Sequence, residues 1–371
     1  MKGTVLITGG AGFIGSHVAA ELLRSGYHVR ILDSLVTQVH GDARGRPPYL
    51  RKEAEFILGD IRNPEIVDEA LRGVDAVYHF VALVGVGQSM YQIAEYTSVN
   101  NLGTALLLER LVKSRVHKLI VASSMSIYGE GRYVTPDGRA YDSANRAAAQ
   151  LKAHEWEIST PEGVPLEPVP TPEAKQPSLA SVYALSKYDQ EQMCLMVGRA
   201  YGLPTVALRF FNAYGPYQSL SNPYTGVLAI FASRLLNRKR PIIFEDGRQL
   251  RDFVSVYDVA QACRLALEVD AAQNLVFNVG SGRSISVTEV AAQLARVLGK
   301  RIDPKITGNY RVGDIRHCFP DIGLARRVLG YKPAVTLERG MCDLAEWLER
   351  QTARDRFSEM HAELAARGLV V

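Results

Sequence analysis

The sequence predicts an α/β protein, a doubly wound parallel sheet of the Rossmann type carrying a smaller α/β lobe. Three observations predict it. Short β-branched runs alternate with helical patterns from Thr4 to Ser124. A glycine-rich turn, TGGAGFIG at residues 8–15, joins the first run to the first helix. Beyond residue 200, TVALRFF and LVFNVG return as strands among helices, around the Pro- and Gly-punctuated stretch YGPYQSLSNPYTG. Alternation of this kind marks parallel strands joined by crossover helices.

In order, TVLIT is followed by SHVAAELLRSG, HVRILD, EAEFILGD, PEIVDEALRG, VDAVYHF, TALLLERLVKS and HKLIVASS. The rhythm breaks between about residues 131 and 178. There RAAAQLKAHEWEIS predicts one helix, and prolines at 161, 165, 168, 170, 172 and 177 predict no regular structure around EGVPLEPVPTPEAKQP. This segment reads as an insertion or a lid. The stretch from about Ala353 predicts an amphipathic helical tail.

A chain of 371 residues with 47% apolar and 22% charged content buries an ample core. The net charge of +4 is modest, and no basic stripe is interleaved with aromatics, so no nucleic-acid partner is expected. Cys194, Cys263, Cys318 and Cys342 lie far apart without a C-x-x-C pair, which argues against a disulfide framework and a zinc site. They read as reduced thiols in a cytoplasm, and no metal is expected. The N-terminus lacks the apolar core of a signal peptide, and no run of about 18 apolar residues occurs, so no membrane partner is expected.

Gly9, Gly12 and Gly15 recur every three residues where the first strand meets the first helix. Glycines there allow a tight turn and let helix N-terminal amides approach a pyrophosphate, so this turn, with Phe13 and Ile14, is the expected dinucleotide site. Asp33 closes the second strand about 20 residues on, where a carboxylate accepts from a ribose 2′-hydroxyl. Because a 2′-phosphate would be repelled and the neighbour is Ser34 rather than an arginine, NAD is expected over NADP. Asp60 and Ile61, in LGDIRN, read either as an adenine contact or as a helix cap. HFVA brings Phe80 and Ala82 beside the expected nicotinamide ribose, and His79 reads as a satisfied core histidine.

VASSMSIYG sets Ser123, Ser124 and Ser126 at a strand's carboxyl end, the usual ligand edge of such sheets. SVYALSK then puts Tyr183 one helical turn before Lys187. That spacing alone is a weak signal. Taken in order with GDIR, VNNLGT, LRFFNAYGP, DGRQLRDF and RVGDIRH, these motifs resemble the extended short-chain dehydrogenase/reductase family, and within it the nucleotide-sugar epimerases.

The resemblance covers nearly the whole chain. It implies Ser124 as the catalytic Ser/Thr, Tyr183 as the acid/base, and Lys187 as its partner and a cofactor contact. Asn100, in VNNLGT, is implied to be a cofactor-side or structural polar residue. Residues 1–180 are then the NAD-binding domain, with the insertion inside it. Residues 181–371 supply the Tyr-Lys helix, further sheet strands and the nucleotide-sugar lobe, and a homodimer through a helix bundle is expected.

The chemistry explains the pairing. A free tyrosine titrates near about 10, and bringing it to about 7 takes roughly 4 kcal/mol. A cation about 4 Å away at an effective dielectric of about 20 supplies about 4 kcal/mol. One lysine at that distance is expected to suffice, with help from the positive nicotinamide.

For the substrate, Arg251 and Arg311 match family positions that grip nucleotide phosphates. Asn212 matches an amide near the sugar-phosphate, Asp314 a ribose contact, and Asn222 a contact in the base pocket formed by SNPYTGVLAIF. Ser124, Ser126 and Tyr183 face the sugar. Sugar 4,6-dehydratases of this family carry Asp-Glu directly after the catalytic Ser/Thr, whereas here the residues are Met125 and Ser126. Epimerisation at C4 through a transient 4-keto sugar is therefore expected. VPTPEAK, YALSK and NPYTGVLAIF resemble dTDP-L-rhamnose 4-epimerases, and Val84 replaces a lysine usual in UDP-galactose enzymes. UDP-glucose/UDP-galactose 4-epimerase, 4,6-dehydratase, 4-ketoreductase and a dinucleotide-sensing regulator stand as alternatives.

Overall fold

Alternation along the first strand, β1 (Thr4–Thr8), sorts its side chains onto two faces. Val5 and Ile7 enter one core with Val18 and Leu22 of α1 (Phe13–Arg24) and Val259 and Cys263 of the helix Val256–Glu268. Leu6 enters the opposite core with Val67, Leu107 and Leu195. A sheet buried on both faces needs helices on both sides, and the crossover segments supply them. The computed structural model describes every residue except Met1, Ala43, Arg44, Ser143, Pro223, Thr225, Thr352, Ala353, Arg354 and Val371.

The sheet has seven parallel strands. After β1 come β2 (His28–Asp33), β3 (Glu55–Leu58), β4 (Ala76–His79) and β5 (Lys118–Ser124). Thr205–Phe210 and Val276–Val279 complete it, in the order Val276–Val279, Thr205–Phe210, β5, β4, β1, β2, β3. Strand order reverses between β1 and β4, which opens a crevice at the carboxyl ends there.

Residues beyond 180 thus build both the sheet edge and a separate lobe. In the lobe, the helices Val227–Leu236, Val287–Val297 and Leu337–Leu348 pack around Phe231, Ile243, Phe253, Leu294 and Met341. One buried carboxylate joins the points where the chain crosses from sheet to lobe. The Asp252 carbonyl accepts from Asn212 N–H, and its carboxylate accepts from Ser281 N–H and Oγ–H, both at 2.8 Å.

The insertion differs from expectation. It contains a three-stranded antiparallel sheet of Ala140–Tyr141, Arg132–Val134 and Glu167–Val169, with Pro168 inside the third strand opposite Tyr133. That strand lies on an edge, where a missing N–H costs no ladder bond. The expected helix shrinks to Ala148–Lys152. It stops because His154 adopts a positive φ of 59° and the following residues turn to pair, Leu166 N–H donating to the Ile158 carbonyl. Tyr133, Ala144, Ile158 and Leu166 give this unit its own small core.

Charged pairs dock the insertion on the lobe. Arg146 donates to Glu245 at 2.7 Å and to the Asp314 carbonyl at 2.9 Å, and Arg316 pairs with Glu157, Glu245 and Asp246. The tail forms a helix at Phe357–Ala366, while its expected start at Ala353 lies outside the described residues. Among the described residues, no helix is long and apolar enough to cross a membrane, and no group of three or more His, Cys, Asp or Glu is placed to hold a metal.

A second buried pair fastens the sheet to the long helix Val182–Tyr201. Glu191 is fully buried, holds Arg209 through two bonds of 2.7 and 2.9 Å, and accepts from Ser123 Oγ at 2.6 Å. Removing one member strands the other charge in the interior. Glu191→Ala is expected to cost about 3–5 kcal/mol in urea unfolding; a loss under about 1 kcal/mol would show the pair to be dispensable.

Candidate active site

The crevice at the strand reversal encloses about 740 Å³ and runs from the glycine turn into the lobe. It is lined by every site residue singled out from the sequence except Asn100. Asn100 is wholly buried, exchanges hydrogen bonds with the Leu83 backbone, and donates to Ser186 Oγ at 2.9 Å. It therefore ties the segment after β4 to the Val182–Tyr201 helix and makes no wall of the crevice. His79 lies in the core between Thr8 and Thr104, and burial lowers its pKa to about 3.

The glycines fit a dinucleotide. Gly9 has φ +70°, and a Cβ there would fall 2.9 Å from Val81 N. A Cβ at Gly15 would meet the Gly9 carbonyl oxygen at 2.5 Å, so any side chain would force the turn apart. Gly12 caps α1, and a Cβ on it would meet only the Gly9 oxygen, at 3.3 Å; its open side is where an anion can come close. No acidic residue stands in the first turn of α1 to compete for the helix's positive end. Asp33 accepts from Ala11 N–H and Leu35 N–H, which fixes its carboxylate at the crevice wall, with His40 3.6 Å away.

Asp60 is not a helix cap. That role falls to Asn63, whose side chain accepts from Glu65 N–H and Ile66 N–H. The Asp60 carboxylate instead binds Arg62, whose hydrogen bonds hold it below the usual carboxylate range.

At the chemical end, Ser181 caps the Val182–Tyr201 helix by accepting from Ala184 N–H, and Gly202 in the left-handed conformation ends it. Tyr183 and Lys187 thus share one continuous face, both buried. Burial pushes the Tyr183 phenol up, and a hydrogen bond with Ser124 pulls the other way. The Lys187 ammonium donates to Gln190 Oε1 at 2.6 Å, its one hydrogen bond among the described residues, and burial lowers its pKa to about 8.

At the lobe end, Arg311 pairs with Asp314 at 3.0 Å and lies over the Phe244 ring. Arg251 points its donors at the carbonyls of Leu250, Arg316 and Ile315, so its guanidinium is largely engaged by backbone. Asn222 accepts from Gln38 and from Tyr224 N–H. Asn212 keeps a buried Oδ1 without a hydrogen-bond partner among the described residues.

The sequence did not point to Gln218 and Gln249, which line the same crevice with buried amide oxygens likewise unpartnered among the described residues. Nor did it place the tail, whose Phe357, Met360 and Leu364 form part of the crevice wall. Leu364 sits against Gly87, and Glu363 accepts from Tyr91 and Tyr224. Only the helical period of the tail was readable; its docking partners lie more than 100 residues away in sequence.

Comparison with known proteins agrees with this geometry. The family model described as "NAD dependent epimerase/dehydratase family" matches residues 5–155 and 156–280. A dTDP-L-rhamnose 4-epimerase of Burkholderia thailandensis is 34% identical, over 94% of this chain and 96% of that protein. A UDP-glucose 4-epimerase of Thermotoga maritima, solved with UDP-glucose, superposes with a TM-score of 0.76 at 31% identity, covering 94% of this chain and 99% of that one. The Thermus thermophilus UDP-glucose 4-epimerase, solved with NAD, gives 0.74 at 30% identity over 94% and 100% of the two chains. With its glycine turn, strand-end serines and Tyr-Lys helix in one crevice, the chain belongs to the NAD-dependent epimerase/dehydratase family.

Proposed function

We propose that this NAD-dependent enzyme of the nucleotide-sugar epimerase kind inverts C4 of dTDP-L-rhamnose, giving dTDP-6-deoxy-L-talose and the reverse. The observation that carries the reaction class is the meeting of Ser124, Tyr183 and Lys187 at the carboxyl end of β5, in the crevice that also holds the glycine turn. The two residues after Ser124 are Met125 and Ser126, so no acid stands there to drive loss of water. The sugar assignment rests on the Burkholderia relative and on the apolar side chains Val84, Met125, Met360 and Leu364 along the crevice. A 6-deoxy sugar offers a methyl group to such surfaces.

NAD, held by the glycine turn, Asp33 and Lys187, would supply the hydride acceptor for the sugar carbon and the source of its return. Tyr183 takes the hydroxyl proton as the carbon is oxidised and gives it back on reduction. Ser124 holds the sugar oxygen beside the phenol. The Lys187 ammonium stabilises the phenolate by its charge and holds the nicotinamide ribose. Asp33 binds the adenosine ribose, Arg311 the diphosphate, and Asn212 an oxygen-linked donor of the sugar nucleotide.

We place the enzyme in the cytoplasm, because its four cysteines are free and three are buried. Fractionation that recovered it elsewhere would reverse that placement. A homodimer is proposed because Leu185 and Met196 stand on one stripe of the Val182–Tyr201 helix while remaining 46% and 53% exposed. Light scattering is expected to give twice the chain mass, reduced to one by Met196→Lys; a monomeric parent protein refutes the dimer.

Incubation with dTDP-L-rhamnose, without added reductant, is expected to produce the C4 epimer by NMR. Conversion of UDP-galactose alone would assign the sugar to the alternative, and conversion of neither would overturn the reading. Tyr183→Phe is expected to cut kcat by about 10²–10⁴-fold with NAD affinity kept; near-normal turnover would remove Tyr183 from the mechanism. Because burial depresses the Lys187 pKa, the ammonium is lost as pH rises through about 8, so kcat/KM is expected to fall there. A profile flat to pH 10 would deny Lys187 a charged role.

A further inference from the structure

Lys187 is a charge in a place that disfavours charge, and its surroundings show what keeps it. On its own helix, the Glu191 carboxylate favours the ammonium by its charge but is held away from it by Arg209 and Ser123, and the Cys194 thiol is pushed by burial up to about 12, so it stays neutral. Tyr183, one turn earlier, is raised by burial. From β4, His79 faces the site as a neutral ring. The group in direct hydrogen-bond contact is the Gln190 amide oxygen, 2.6 Å from the ammonium.

The orientation of Gln190 is set by chemistry. An ammonium only donates, so Oε1 must face it, and Nε2 must face the core. There Nε2 donates to the Val81 carbonyl at 3.1 Å and to Thr104 Oγ1 at 2.9 Å. Thr104 uses its own proton on the Asn100 carbonyl, so its oxygen is free to accept. By the same logic His79 donates to Thr104 through Nε2 and accepts from Thr8. Gln190 is completely buried, and each of its polar ends has one fixed use.

We propose that Gln190 is a positioning residue for Lys187: its carbonyl oxygen holds the ammonium beneath Tyr183 in its charged form, while its amide nitrogen is clamped by Val81 and Thr104. The proposal rests on Lys187 acting as a cation for Tyr183. Without Gln190, the ammonium loses its one hydrogen bond among the described residues and titrates lower; with a carboxylate in its place, it titrates higher.

The test uses the full-length protein with NAD bound and lysine labelled at 13Cε, the Lys187 signal being assigned by its loss in Lys187→Met. Gln190→Leu, or Gln190→Met should the first not fold, is expected to lower the Lys187 midpoint by about one pH unit, and Gln190→Glu to raise it by about one. With the sugar nucleotide, kcat is expected to fall about tenfold in the apolar variants while KM moves less than about twofold. Gln190→Glu should retain most of the turnover. Equal midpoints in all forms, or shifts of the same sign for Glu and Leu, would overturn the proposal. The NMR titration needs no sugar, so it decides the point even if no tested sugar is turned over.

Discussion

The ion pair of Glu191 and Arg209 is the constraint on which the site's geometry depends. It joins the Tyr183 helix to the strand Thr205–Phe210, and through Ser123 to the end of β5 one residue before Ser124. Arg209 also donates to Tyr128 and to the Glu173 carbonyl, so the turn after β5 and the insertion are fixed to the same point. Two charges buried together gain little net stability over an apolar pair but penalise every arrangement that separates them. That penalty holds the serine, the phenol and the lysine in mutual register.

The site is electrostatically unusual in holding a cation and an ionisable phenol where burial opposes both charges. Burial is useful there because an interaction screened in water acts at greater strength in a dry crevice. The insertion contributes from the other side. Arg146 grips the Asp314 carbonyl, and Asp314 in turn grips Arg311, so a segment outside the sheet sets the position of the cation proposed to meet the diphosphate.

What the sequence disclosed follows the range of each interaction. The glycine turn, Asp33 and the Tyr183–Lys187 spacing are local, set by one turn or one helix, and were legible. Pro168 misled because the rule against proline in strands does not hold on an edge, and edge position is a property of the assembled sheet. Asp60 stayed open between two readings because Asp60 and Asn63, three apart, compete for one cap, and only geometry gives that cap to Asn63. Gln190 and the tail stayed hidden for a plainer reason: their partners, Val81 and Thr104 for the first and Tyr91 and Tyr224 for the second, are remote along the chain. The helical spacing picked out Lys187, while its hydrogen bond to Gln190 shows only in the folded helix.

Asp252 joins three stretches of chain where they pass between the two parts of the molecule, through Asn212, Ser281 and its own backbone. Cross-linking of three adjacent passages by one residue restrains the two parts more than a single connecting strand would.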